Sequence, residues 1–254
     1  YWRGQTYRAI GDLDAALDDL NRAIELQPND PANHNERGII YRKLGRFAEA
    51  VDDYTRAIDI HPDYADPYVG RALAYDGLEQ YQAALADYSR VLELRPHEAD
   101  TYLGRAFTHR KLEDYEAAIT DLNQAIELQP QNDTFYFWRG RVYQDIKDYE
   151  RAIEDLDYAV ELKPNYGYNY QSRGVNYSHM GEHAAALADF TRAIDLMPDN
   201  SNNYSLRGFT YYDMGQYERA LDDLGRSIAL NPEDSANYRK RGDCYYEMGD
   251  YDAA

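Results

Sequence analysis

The chain has one cysteine, Cys244, in 254 residues, so it cannot hold an internal disulfide framework. It has no apolar run of the ~18 residues a membrane helix needs. Positive charge is scarce: 27 Lys and Arg stand against 46 Asp and Glu, for a net charge of -19. Nucleic-acid phosphates need clustered cations that release counterions, so nucleic acid is excluded as the expected partner. Direct membrane insertion is excluded too. Phe and Trp are few, at 6 and 2. Against these shortages stand 44% hydrophobic residues and 27 tyrosines. That content can bury a core despite a mean hydropathy of -0.81.

The tyrosine excess has a periodic cause. Seven of the prolines, Pro28, Pro62, Pro96, Pro130, Pro164, Pro198 and Pro232, recur at a step of 34. A 20–50-residue period marks stacked supersecondary units. Counting back from each proline gives an Ala column (Ala16 to Ala220, with Ala254 continuing it) and an Asp column (Asp19 to Asp223). An Arg column runs from Arg3 to Arg207, with Arg241 as its eighth member. Gly or Ala follows each Arg. Tyr fills two further columns, one through Tyr41 and one through Tyr68.

Each unit reads as two helices. In the second, Asp30-Pro31 is an N-cap followed by Pro at the first helical position. The first helix runs to about Leu44, Gly45 permits the turn, and the second helix runs from near Phe47 to just before Pro62. Neither helix alone can bury its apolar face, whereas stacked neighbours can.

The segment "ERGIIYRKLGRFAEAVDDYTRAIDIHPD" (36–63), with its Tyr, Gly-x-Phe, Ala and Pro at these offsets, resembles the tetratricopeptide repeat. The resemblance covers the whole chain. It implies an all-α, right-handed superhelical solenoid of helix-turn-helix units, with the first helices lining the concave face. One departure is regular: Arg37 and its equivalents stand where the family usually has an apolar residue, an Arg-Gly/Asp-bearing subtype. The expected units are 1–30, 31–64, 65–98, 99–132, 133–166, 167–200, 201–234 and 235–254, in one array. The first is cut inside its first helix and the last inside its second, so the chain is expected to be a fragment of a longer protein. Its uncapped ends offer end-to-end self-association. Nothing in the residues fixes the compartment; the cytoplasm is favoured.

Columns that stay fixed meet the same environment in each unit and are expected to be structural. A ladder of internal Arg–Asp ion pairs is preferred over a ligand-binding charge array, with the pairing left open between a unit's own Asp and its neighbour's. Tyr rings are expected to fill layer interfaces with their hydroxyls at a polar rim. "HMGEH" (179–183) spells a zinc-hydrolase pattern, but Gly181 falls in the turn slot and would break the helix that the chemistry needs. Cys244 reads as packing. The acidic pairs such as Asp52-Asp53 and Asp222-Asp223 read as a solvated outer face. No catalytic constellation, metal set or cofactor motif is apparent, so the chain is read as no enzyme.

Variable columns are free to serve something local. By resemblance the inward slots lie 27, 26, 23, 20 and 19 residues before each proline. In the middle units they hold Val69, Leu73, Leu103, Phe107, Phe137, Trp138 and Val175, with Arg42, Lys43, Arg110, Lys111 and Arg141 as cations. In "TFYFWRGRVY" (134–143), Tyr136, Arg139, Gly140 and Tyr143 belong to the repeat, while Phe137 and Trp138 replace Asn35 and Glu36. The Lys, Asn and Arg set with which some family members hold chaperone tails is not reproduced. The expected function is a non-catalytic scaffold that holds a peptide segment or protein by apolar anchors and some acidic residues. Its expected contact residues are Val69, Leu73, Leu103, Phe107, Arg110, Phe137, Trp138, Arg141 and Val175. The alternatives are a targeting arm of a larger enzyme and a self-assembling array.

Overall fold

A computed structural model describes residues 2–253, and all its regular structure is helical. Tyr1 and Ala254, where the first and last units were expected to be cut, lie outside the described residues. The chain divides after Pro130 into two compact units.

The first unit holds α1 (Trp2–Ile10), α2 (Leu13–Leu26), α3 (Pro31–Lys43), α4 (Phe47–Ile60), α5 (Ala65–Gly77), α6 (Tyr81–Leu94), α7 (Ala99–Lys111) and α8 (Tyr115–Leu128). The second holds α9 (Asp133–Asp145), α10 (Tyr149–Leu162), α11 (Gly167–His179), α12 (His183–Leu196), α13 (Ser201–Asp213), α14 (Tyr217–Leu230) and α15 (Ser235–Glu247). Within each unit, consecutive helices pair as hairpins and each hairpin packs on the next. After α15 the described residues 251–253 form a turn rather than the second helix expected there.

Local sequence sets the helix limits. The Asp30 carboxylate accepts from the Ala32 N–H at 3.0 Å, and Pro31 takes the first position of α3, where a missing N–H costs nothing. Gly45 leaves α3 with φ +73°. Glu79, Glu113 and Lys147 hold the same slot and adopt the same left-handed turn, at φ 59°, 60° and 63°. Three hairpins thus carry strain at a position where glycine has none.

The fixed columns form the hairpin interiors. The Ala column from Ala16 to Ala220 is fully buried. Beside it, Leu20, Tyr54, Tyr88, Leu122, Leu156, Phe190 and Leu224 fill one slot of the second helices and are also buried. These side chains press on the first-helix backbone. A Cβ on Gly38 would stand 2.8 Å from the Tyr54 ring, so a small residue is required there.

The Arg and Asp columns meet inside their own unit. Arg37 donates through Nε and Nη2 to the two oxygens of Asp53, both at 2.7 Å. Arg71–Asp87, Arg105–Asp121, Arg139–Asp155, Arg173–Asp189 and Arg207–Asp223 repeat this two-pronged geometry. The hydrogen bond to Asp53 is the largest influence on Arg37 and raises its pKa above the ordinary range, against the opposing pull of burial.

Five of these guanidinium groups do a second thing. Nη1 reaches the second helix of the preceding hairpin: Arg37 to Asn21 at 2.7 Å, Arg71 to Thr55 at 2.9 Å, Arg105 to Ser89 at 3.1 Å. In the second unit Arg173 meets Asp157 at 2.7 Å and Arg207 meets Thr191 at 3.1 Å. The arginine therefore ties three helices together.

Two expectations change in detail. Asp53 and Asp223 are buried, so the solvated-face reading holds only for their neighbours Asp52 and Asp222. The hydroxyls of Tyr68, Tyr102 and Tyr170 have backbone partners at their polar rim. They donate to the carbonyls of Pro62, Pro96 and Pro164, at 3.1, 3.3 and 3.1 Å, and close the loop before each hairpin. His34 stands in this Tyr slot, and its Nε2 reaches the Pro28 carbonyl at 3.0 Å.

Candidate functional site

Most inward slots of α3 and α5, with Phe107 and Lys111 of α7, line two cavities on the first unit, whereas Leu103 and Arg110 line neither. One, of about 460 Å³, is lined from α3 by Asn35, Glu36, Ile39 and Arg42 and from α5 by Val69, Gly70 and Leu73. Tyr54 forms its floor, and Tyr64, Asp66 and Glu98 complete it. The other, of about 270 Å³, lies between α5 and α7 and is lined by Asp76, Gly77, Phe107, Thr108 and Lys111, with Glu79 and Tyr81 from the intervening segment. Leu73 is exposed, while Val69, Leu103, Phe107 and Arg110 are half-buried.

The polar groups between these cavities form a network. Asp76 accepts from the Thr108 hydroxyl at 2.9 Å and from the Tyr88 hydroxyl at 3.2 Å. Burial raises the Asp76 pKa above the ordinary carboxylate value, and the donors and Lys111 only partly offset it. Burial also raises the Tyr88 pKa, and the neighbouring Asp76 carboxylate raises it further.

On the second unit, Phe137 and Trp138 sit edge-to-face on α9, with ring centroids 5.2 Å apart. Both are half-buried, as are Arg141 on α9 and Val175 on α11. Their neighbour Tyr136 stacks on Tyr158 at 5.4 Å, and the Arg139 guanidinium lies over the Tyr136 ring at 5.8 Å. Phe135 is fully buried and belongs to the core. Within the first unit the structure brings Val69 and Leu73 to one cavity and Phe107 to the other; Phe137 and Trp138 are brought together on the second unit.

The "HMGEH" histidines are separated by the turn at Gly181, where φ is +77°. His179 ends α11 and stacks on Tyr149 at 5.0 Å, whereas His183 begins α12. Among the described residues no His, Cys, Asp and Glu group has metal-holding geometry. Cys244 is fully buried, and burial raises its thiol pKa. No described helix is long and apolar enough to cross a membrane.

Family models described as "Tetratricopeptide repeat" match residues 4–75, 65–98, 134–166 and 168–200. One described as "TPR repeat" matches 108–147 and 208–249. The chain belongs to the tetratricopeptide repeat family. No curated protein matches it. Among solved structures, a tetratricopeptide repeat protein from Parabacteroides merdae is 22% identical, with 95% of this chain and 96% of that one covered and a TM-score of 0.73. The C-terminal part of a repeat protein from Cytophaga hutchinsonii is 15% identical, with 94% and 98% covered and a TM-score of 0.74. YrrB, a TPR protein with an unusual peptide-binding site, is 24% identical over 74% of this chain and 97% of its own, with a TM-score of 0.59. At such identities the likeness is one of fold. This tetratricopeptide chain shares the all-α helical-repeat fold, and its variable residues are its own.

Sequence reasoning missed the acceptors of the third arginine bond. Asn21, Thr55, Ser89, Asp157 and Thr191 share one slot, seven residues before each proline. They differ in type and have in common only a short side chain with an acceptor oxygen. Reading that column by hydrogen-bonding capacity instead of identity finds them.

Proposed function

We propose that this chain is a non-catalytic interaction scaffold that holds a peptide segment on the variable face of its first helices. One observation carries the reading. The slots that line the two cavities are the ones that change from hairpin to hairpin, while the Arg, Asp, Ala and Tyr columns are consumed by the fold. On the first unit the contacts are Val69, Leu73, Leu103, Phe107 and Arg110. On the second they are Phe137, Trp138, Arg141 and Val175. Preformed helices leave mainly the ligand's ordering cost to be overcome. That YrrB has a peptide-binding site agrees with such a use of the fold.

The test is selection of peptides from a displayed random library on residues 1–254, followed by affinity measurement on variants. Leu73→Ala or Trp138→Ala is expected to weaken the selected peptides about tenfold or more, as anchor residues do. Melting should change little. Selected peptides that bind both variants as tightly as the unaltered chain would place recognition elsewhere and overturn the proposal.

A further inference from the structure

Six repeats carry tyrosine in the slot of Tyr68, and the hairpin of α3 and α4 carries His34 there. The tyrosines use their one polar atom for one contact. The hydroxyls of Tyr68, Tyr102 and Tyr170 donate to the proline carbonyl before the hairpin. Their rings lie 5.6, 5.8 and 5.6 Å from the guanidinium groups of Arg71, Arg105 and Arg173. His34 keeps the carbonyl contact and adds another. Its Nε2 lies 3.0 Å from the Pro28 carbonyl, and its Nδ1 lies 3.4 Å from Asp53 Oδ1. His34 and Asp53 are only 6% and 4% exposed, so both contacts lie out of bulk water.

Both neighbours are acceptors. A carbonyl oxygen and a carboxylate oxygen each need a donor, and neutral imidazole has one N–H. With that proton on Nε2, the ring satisfies Pro28 and turns a lone pair toward Asp53. With it on Nδ1, the lone pair faces Pro28 instead. The imidazolium donates to both. The other charged groups at this end of the hairpin are engaged. Arg37, on the same helix, holds both oxygens of Asp53 at 2.7 Å. Its charge opposes a second cation, while the Asp53 carboxylate favours one and has lone pairs enough for both donors. Arg56 of α4 reaches Asn29 at 3.2 Å, Asp30 caps α3, and α2 presents the neutral Asn21 to Arg37.

We infer that His34 is a proton-operated clasp between the loop before α3 and the Arg37–Asp53 pair. In acid the imidazolium bridges Pro28 and Asp53 by two charge-assisted hydrogen bonds. When the proton leaves, one of the two opens. Folding takes up that proton, so the stability the clasp adds is full below the ordinary histidine range near ~6.5 and is lost as pH rises above it. The start of α3 is then held less firmly. The tyrosine hairpins are indifferent to pH over this range, because a phenol keeps its proton there. The inference does not depend on the scaffold reading.

Two variants of residues 1–254 test it. His34→Tyr installs the residue of the other repeats, and His34→Gln keeps a neutral donor. Melting of the unaltered chain and both variants is recorded at about pH 5.5 and about pH 8.5, on either side of the histidine range. Comparing the gap between the two temperatures cancels groups such as Asp76 that all three proteins share. The gap in favour of acid is expected to be larger in the unaltered chain than in either variant, by about 2 °C or more. Proton–nitrogen correlation spectra should show both ring nitrogens of His34 protonated at the lower pH and one at the higher. An equal gap in His34→Tyr, or a neutral His34 ring at the lower pH, overturns the inference. A gap that narrows in His34→Tyr and not in His34→Gln also overturns it, because the effect then belongs to the tyrosine ring.

Discussion

The Tyr88 hydroxyl donates to the Asp76 carboxylate at 3.2 Å, and Thr108 of the next hairpin donates to the same group at 2.9 Å. One acidic residue thus joins α5, α6 and α7 beneath a cavity. Burial raises its pKa. An acid whose pKa is raised on folding favours the folded state while protonated. Its contribution is full below the ordinary value near ~4 and is lost as pH rises through the raised value. Asp76→Asn should therefore narrow the gap in melting temperature between mildly acidic and neutral solution. An unchanged gap would show that Asp76 does not titrate in this way.

The arginine ladder makes a sharper demand. Arg71 is bound by Asp87 through two hydrogen bonds and reaches Thr55 with a third. Arg71→Ala strands a buried carboxylate and should cost ~3–5 kcal/mol. Arg71→Lys keeps the charge but cannot form the planar fork, so it should recover only part of the loss. Urea unfolding of both variants measures the difference. Equal stability of Lys and Arg at this site would reduce the ladder to point charges.

The left-handed turn offers a gain instead of a loss. Glu79, Glu113 and Lys147 occupy a slot that elsewhere holds glycine. Replacing any of them by Gly should stabilise by about 1 kcal/mol, because a non-glycine residue in that conformation costs ~1–2 kcal/mol and glycine returns part of this as chain entropy. Thermal melts of the single and triple variants check both sign and additivity. A fall in melting temperature would mean that these side chains do something beyond turning the chain.

Phe135 and Trp138 should separate cleanly. Phe135 is fully buried, so Phe135→Ala should cost ~3–5 kcal/mol by opening a cavity. Trp138 is half-buried, and Trp138→Ala should cost about 1 kcal/mol, in proportion to the smaller apolar area it removes from water. Denaturant unfolding of the two variants tests the contrast. A collapse of the fold on Trp138→Ala would make that ring a core residue.

The period of the prolines made the hairpins legible in advance, because the same capping and packing needs recur every 34 residues. Arg37 and Asp53 were visible as partners, since both columns are invariant, but sixteen residues of chain do not say which hairpin closes the pair. Asn21, Thr55 and Ser89 were hidden because a hydrogen bond to one guanidinium nitrogen constrains only an acceptor and a short reach. The left-handed turn at Glu79 was hidden for a related reason: the neighbouring packing imposes it against the residue's own preference.

The third arginine bond has one gap with a mechanical meaning. In the slot of Asn21, Thr55 and Thr191, α14 carries Gly225, which has no acceptor for Arg241 of α15. Every other described joint within a unit is riveted by that bond. The joint between α14 and α15 is not, although Arg241 still lies over the Tyr238 ring at 5.3 Å. Under load, or in mild denaturant, the array has a hinge pin missing at this place.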